Sequence, residues 1–269
     1  SRARFVLHAL SGRLVHCSAY EARVQAAKTH MMGDPQAALA QSIAALSAAR
    51  AEAGGPRRAE HIATARWLQG EALLRLNRLD EAKPVIKDGL AAAAGLSNTK
   101  MHGDLLMAEA GVLATEGQVQ QALTDFQAAY RIFGKAGEPR SQAIALMNIG
   151  SIYQDARDYA KVLQYYAQAA ELYPGDPSLL VSARNNIGNA LRALKKYPEA
   201  EAEFERARAL AREMKSPLIE SHVLANLART ELEDGKLDLA QRHVDQALRI
   251  AASDPSAQES MPSAWDVAA

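Results

Sequence analysis

Small residues recur along the chain at intervals of 40, 40, 38 and 40 residues. They are Gly70, Ala110, Gly150, Gly188 and Ala228. The positions that follow each of them also agree. Twelve residues later stand Ala82, Ala122, Val162, Ala200 and Ala240, and sixteen residues later stand Ile86, Phe126, Tyr166, Phe204 and Val244. A fixed period of this length is typical of stacked helix pairs, so the sequence predicts an all-α repeat array.

The spacing of apolar residues within one period supports helices rather than strands. From Val119 to Phe133 the apolar side chains follow an i, i+3, i+4, i+7 pattern, which gives a helix one apolar stripe. Short polar turns separate the two helices of each period, and turns this short require antiparallel pairs. Asn77, Gly117 and Gly235 are suited to the left-handed residue that ends a helix.

The register extends beyond the five periods in both directions. Upstream, Ala26 and Ala38 occupy repeat positions, which makes about six helix pairs. Downstream, Trp265 and Ala268 match the start of a further repeat, so we expect a truncated seventh repeat and a chain that is part of a longer protein. The predicted organisation is an N-terminal tail or short helix at 1–18, an array at 19–252, and the truncated repeat or a C-terminal tail at 253–269. Within the array, the repeats are expected near 19–52, 59–95, 100–135, 139–174, 177–214 and 217–252.

Composition excludes several classes of function. The 31 basic and 31 acidic residues balance, with a pI of about 7.1, so no electrostatic argument favours nucleic acid. No apolar run approaches the length of a membrane span, which predicts a soluble chain. The single Cys17 favours the cytoplasm, with the periplasm open if the chain belongs to a membrane-anchored sensor.

No catalytic, metal or cofactor motif is visible. The pair His16 and Cys17 has no further ligand at metal-binding spacing, and no histidine pair follows the HExxH pattern. For His61, His102, His222 and His243 we expect ordinary surface positions on helices. A stripe of tyrosines is expected to pack in the core rather than to bind a ligand; it comprises Tyr153, Tyr159, Tyr165, Tyr166 and Tyr173.

The glycines among the small residues need a structural reason. A glycine inside a helix costs about 1 kcal/mol relative to alanine. Close approach of the paired helix is the reason we expect, so a bulky side chain at Gly150 or Gly188 should overpack the pair.

These residues and spacings resemble the tetratricopeptide repeat (TPR) family over residues of about 20 to 252, with a period nearer 40 than 34. The resemblance implies a right-handed α-solenoid, the TPR superhelix. A narrower resemblance, carried by the stretch 140–153, is to the sensory TPR region of bacterial diguanylate cyclase (GGDEF) proteins. No GGDEF motif is present, so this second likeness suggests an input module and assigns no activity.

The resemblance also implies where a partner would bind. In TPR proteins the first helix of each pair lines the concave face, at the positions two before, one after and four after the small residue. In the C-terminal half these positions, with two flanking residues, are polar: Asn148, Ser151, Gln154, Asn185, Asn186, Asn189, Arg192, His222, Asn226 and Arg229. Asparagine amides both donate and accept, so they could hold an extended peptide by its backbone. Equally, they could fix neighbouring helices to one another.

Two functions follow from these patterns and resemblances. The first is a non-catalytic scaffold that binds a protein or peptide along its concave face. Arg192 and Arg229 would favour an acidic group on that ligand. The alternative is the regulatory input domain of a larger bacterial signalling enzyme, a diguanylate cyclase or a histidine kinase. The truncated seventh repeat could also pair two copies into a homodimer through the C-terminal end.

Overall fold

The computed structural model describes residues 18–96 and 99–253, and all the regular secondary structure in them is helical. The chain divides between Leu96 and Ser97 into two compact units. The predictions for His16, Cys17, Trp265 and Ala268 lie outside the described residues, as does the expected dimer contact beyond residue 253.

The described residues of unit 1, 18–96, form four helices, and each contacts the next along the chain. They are α1 (Ala19–His30), α2 (Pro35–Ala51), α3 (Pro56–Arg75) and α4 (Leu79–Ala93). Ser18 begins α1 with a capping box, in which its hydroxyl accepts from the Glu21 N–H and the Glu21 carboxylate accepts from the Ser18 N–H. Helix α3 begins three residues before the predicted repeat boundary, because Pro56 takes the first helical position.

In unit 2, the described residues 99–253 form eight helices in four consecutive pairs. They are α5 (Thr99–Thr115), α6 (Val119–Ala136), α7 (Pro139–Asp155), α8 (Tyr159–Leu172), α9 (Pro177–Ala193), α10 (Tyr197–Glu213), α11 (Pro217–Glu233) and α12 (Leu237–Ser253). Each helix contacts the next, and the first helices α7, α9 and α11 also contact one another in sequence. The predicted all-α fold of helix pairs is confirmed.

The turns inside the five pairs from α3–α4 to α11–α12 end their first helices in one common way. Asn77, Gly117 and Gly235 have positive φ, as the sequence predicted. Arg157 and Lys195 take the same left-handed conformation with φ of 57° and 59°, although neither is a glycine or an asparagine. In each turn the next residue donates its N–H to a carbonyl five residues back, which satisfies a helix-terminal acceptor.

The recurring glycines lie against the second helix of their own pair. A Cβ atom built on Gly150 would lie 2.8 Å from the Tyr166 ring, and one on Gly188 would lie 2.8 Å from the Phe204 ring. At Gly70 the corresponding distance to Ile86 is 2.7 Å. The predicted close approach is therefore confirmed at all three glycines.

The aromatic and histidine side chains depart in part from their predicted places. Tyr166 is buried, and Tyr153 stacks on Tyr165 with ring centroids 5.5 Å apart, as expected for a core. His61 is not a simple surface residue, because it stacks on Tyr20 at 3.8 Å and its Nδ1 lies 2.9 Å from Glu52.

His243 likewise lies 2.8 Å from the buried Glu231 carboxylate. Burial raises the pKa of Glu231, although the hydrogen bond with His243 opposes that shift. The prediction of ordinary surface positions is therefore wrong for His61 and His243, since each is partly buried against an acidic partner.

Within residues 18–96 and 99–253, no helix combines the length and hydropathy needed to span a lipid bilayer. The same ranges hold no group of three or more histidine, cysteine, aspartate or glutamate side chains arranged to bind a metal ion.

Candidate functional site: a polar cleft on unit 2

The C-terminal ends of α7, α9 and α11 line a cleft of about 480 Å³. We call it the polar cleft. Its lining residues are Gln154, Asp155, Arg157, Tyr159, Asn189, Ala190, Arg192, Ala193, Asn226 and Arg229. They come from three successive repeats and all belong to unit 2.

The repeat register explains why these side chains share one surface. Gln154 and Arg192 each stand four residues after the small residue of their helix. Asn189 and Arg229 stand one residue after it, and Asn226 stands two before. Positions three residues apart lie on the same side of a helix, so successive first helices present them side by side.

One asparagine pair connects two of these helices. The Asn226 Nδ2 donates to the Asn185 Oδ1 at 2.8 Å, which joins α11 to α9. The neighbouring Asn186 behaves differently, because its Nδ2 donates to the Ser182 carbonyl of its own helix at 2.8 Å. Adjacent asparagines in one sequence motif thus have separate structural roles.

The guanidinium group of Arg192 is only partly satisfied. Its Nη1 donates to the Glu233 Oε1 at 2.6 Å, and the Arg192 side chain is 20% exposed. Its Nε is buried and has no hydrogen-bond partner among the described residues. The Oε1 of Gln154, on the adjacent first helix, is also buried and unpaired there. A buried polar atom left unpaired costs about 1 to 3 kcal/mol, and both atoms belong to side chains that line the cleft.

The lining carries more positive than negative charge. Three arginines and one aspartate contribute to it: Arg157, Arg192, Arg229 and Asp155. Glu233 reduces the excess by pairing with Arg192 at the edge of the cleft. The arrangement can donate several charge-assisted hydrogen bonds to an anionic group.

The structure brings together half of the residues that the sequence suggested for ligand binding. Gln154, Asn189, Arg192, Asn226 and Arg229 line the polar cleft. The others do not line it: Asn148, Ser151, Asn185, Asn186 and His222. Among these, Asn185 touches the cleft indirectly, through its hydrogen bond with Asn226.

Sequence reasoning missed the lining residues at the turn after α7. The repeat register considers only the face of the first helix, so Asp155, Arg157 and Tyr159 are not among the residues it suggests for binding. Tyr159 lines the cleft and is also packed, partly buried, against the core cluster of Val162 and Tyr166. The signal was present in the short length of the turn, which keeps Arg157 beside the end of α7.

Comparison with known families agrees with this repeat architecture. Residues 104–175 and 179–253 match the model of the tetratricopeptide repeat, and together they make up more than half of the chain. The chain therefore belongs to the tetratricopeptide repeat family. Among curated proteins, none matches it in sequence.

Several solved structures share the fold. BtubC (BKLC) from P. vanneervenii is 20% identical, with a TM-score of 0.71 over 80% of this chain and 90% of that one. A STAND signal-transduction ATPase with a tetratricopeptide repeat sensor, from Pyrococcus horikoshii, is 18% identical, with a TM-score of 0.74 over 92% of this chain and 37% of that one. A Rap protein in complex with Competence and Sporulation Factor is 18% identical, with a TM-score of 0.65 over 87% of this chain and 65% of that one.

The chain thus spans little more than a third of the STAND ATPase and just under two thirds of the Rap protein. At identities of 18 to 20%, the similarity to these structures concerns the fold alone.

Proposed function

We propose that this chain is a non-catalytic scaffold whose polar cleft binds an extended peptide segment of a protein partner. The observation that carries the proposal is the lining of the cleft, where polar and charged side chains from three successive repeats share one surface. Its arginine groups donate, and its amide groups both donate and accept. A peptide unit supplies the complement of both, because its N–H donates and its C=O accepts.

The amide side chains of the lining extend this recognition along a backbone. Asn189 and Asn226 both line the cleft, and each offers a donor and an acceptor. Hydrogen bonds to the main chain are independent of the ligand's side chains, so affinity would come from an extended conformation rather than from one sequence. The charge of the lining adds a preference for an acidic group, which Arg192 and Arg229 could receive.

The Rap protein with a similar fold is solved in complex with Competence and Sporulation Factor, so a protein with this fold can bind that factor.

The STAND ATPase favours a second candidate function. There a tetratricopeptide repeat region is the sensor of a longer signal-transduction protein, and this chain covers 37% of that protein. On this second proposal the same cleft serves as the regulatory input of a larger signalling enzyme.

Substitutions inside and outside the cleft test the peptide-binding proposal. Two pools of nine-residue peptides, randomised except for a central glutamate or glutamine, are passed over immobilised protein, and the retained peptides are quantified by mass spectrometry. Asn189→Ala and Gln154→Ala should each weaken retention about threefold to tenfold, as expected for one lost hydrogen bond of about 0.5 to 1.5 kcal/mol. Their matched control is Asn186→Ala, since Asn186 lies outside the cleft lining and bonds to its own helix.

Thermal unfolding of each variant separates lost binding from lost folding. Retention that falls equally in Asn186→Ala and Asn189→Ala would contradict the assignment of the cleft. Wild-type protein that retains neither pool would overturn the proposal itself.

A further inference from the structure

We infer that Glu233 is an internal competitor for Arg192 and sets the charge selectivity of the polar cleft. An acidic group on a ligand would take the place of the Glu233 carboxylate on the Arg192 guanidinium. This inference rests on the proposed function, because it requires a ligand in the cleft.

Glu233 engages the same guanidinium that would attract a ligand carboxylate. Its Oε1 accepts from the Arg192 Nη1 at 2.6 Å, across the gap between the ends of α11 and α9. Arg192 lines the cleft, whereas Glu233 does not. A carboxylate of the protein therefore already binds one of the groups that would attract an acidic ligand.

The end of α11 is an unfavourable place for this negative charge. Glu233 is the last residue of α11, where the helix dipole presents its negative end. The neighbouring acids have their own partners, since Glu231 contacts His243 and Asp234 pairs with Lys236 at 2.9 Å. Arg192, at the end of α9, compensates the charge of Glu233.

The ion pair between Glu233 and Arg192 is also exposed enough for a ligand carboxylate to replace Glu233. The Glu233 side chain is 40% exposed, and ion pairs of this exposure contribute little net stability. Released from Arg192, the carboxylate would be solvated without crossing a packed interior. Glu233 thus weakens the binding of an acidic ligand by a moderate factor and does not block the cleft.

The two peptide pools described above test this competition. Glu233→Gln should raise the retention of the glutamate pool relative to the glutamine pool about twofold to fivefold, because the ligand carboxylate no longer has to displace an exposed ion pair from Arg192. Glu171→Gln is the matched control, because it makes the same charge change at an exposed position of α8 outside the cleft. In an Arg192→Gln background the effect of Glu233→Gln should vanish, because the two carboxylates no longer share a cation.

The outcomes separate this inference from the function on which it rests. Peptides retained by wild type with an unchanged pool ratio in Glu233→Gln would overturn the role of Glu233 alone. A rise of equal size in Glu171→Gln, or one that persists without Arg192, would overturn it as well. No retention of either pool by any variant would overturn both proposals. Thermal melting of each variant confirms that folded proteins are being compared.

Discussion

Gly188 has a hydrogen atom where an alanine would have a methyl group, and this allows α9 to pack closely against Phe204 of α10. The site for a Cβ lies 2.8 Å from two atoms of the Phe204 ring, and that ring is fully buried. Gly188→Ala would gain about 1 kcal/mol of helix propensity but force the ring or the helix to move. Since overpacking costs about 1 to 3 kcal/mol, we expect a net loss of up to about 2 kcal/mol in the free energy of unfolding, measured by urea denaturation.

Gly175→Ala is the control for this substitution. No atom lies within 4 Å of a Cβ built there, and its φ is not in the left-handed region. Its stability should stay close to that of wild type. A Gly188→Ala variant that unfolds at the same urea concentration as Gly175→Ala would contradict the close-packing argument.

The adjacent residues Asn185 and Asn186 give a second prediction at this scale. Asn185→Ala removes the acceptor of the Asn226 amide and leaves that half-buried group unpaired, so it should cost about 1 kcal/mol of stability. Asn186→Ala removes only a bond to its own helix and gains helix propensity, so stability should hardly change. Chemical denaturation of the two variants measures both effects. Equal losses would mean that the hydrogen bond between α9 and α11 does not distinguish these residues.

The same residues show what sequence register can and cannot predict. It places Asn226 and Arg192 on the exposed face of first helices, because that face depends only on helical periodicity. It could not predict that Arg192 pairs with Glu233, since this partner lies 41 residues away on another repeat. Such a contact depends on the offset between neighbouring helices, which no pattern within one helix contains.

At the level of the helix, capping fixes the start of α9. The Asp176 Oδ1 accepts from the N–H groups of Ser178 and Leu179, and its Oδ2 accepts from the Arg140 Nε at 2.8 Å. Burial would raise the pKa of Asp176. The hydrogen bonds with the Leu179 N–H and with Arg140 outweigh it, so the pKa is lowered from the ordinary 3.8.

This shift gives the capping prediction a pH dependence. Because the folded-state pKa is the lower one, the stabilisation is present above about pH 3.8 and is lost as the pH falls through the folded-state value. Asp176→Ala should cost about 1 kcal/mol at pH 7, and the difference from wild type should narrow at about pH 3. Asp176→Asn keeps the capping oxygen and should lose less. A difference between Asp176→Ala and wild type that is the same at both pH values would contradict a role for the charge.

Helix boundaries were the most predictable structural feature at this scale. In the sequence, Pro35, Pro177 and Pro217 each follow an aspartate or a serine, a pattern that predicts a helix start. Helices α2, α9 and α11 begin at these prolines, although the side chain before Pro217 makes no capping hydrogen bond. The ends were predictable only in part. The left-handed conformations of Arg157 and Lys195 are imposed by the geometry of the pair rather than by the residue type.

At the scale of the whole molecule, the repeat period sufficed to predict the family and the all-α fold, because each helix packs mainly on its neighbours in sequence. The polar cleft was less predictable, since it needs the ends of three successive first helices and one turn. Arg157 contributes to the cleft from that turn, and the register of α7 gave no indication of this. The sequence also did not predict the division of the chain into two units, because the repeat period of about 40 residues continues through both.

This division leads to a prediction about the isolated second unit. All lining residues of the polar cleft lie between Ser97 and Ala269, and the stability of a repeat array is approximately a sum over repeats and their neighbours. A fragment of residues 97–269 should therefore remain helical by circular dichroism and unfold cooperatively. It should retain the peptide pools to within about threefold of the full chain, because unit 1 contributes no lining residue to the cleft.

The complementary fragment, residues 1–96, is the control and should retain neither pool above background. A helical 97–269 fragment that has lost retention would show that the cleft needs groups from unit 1. Retention by the 1–96 fragment would place the binding surface elsewhere. Helicity and cooperativity thus test whether unit 2 folds alone, and retention tests separately whether it holds the complete site.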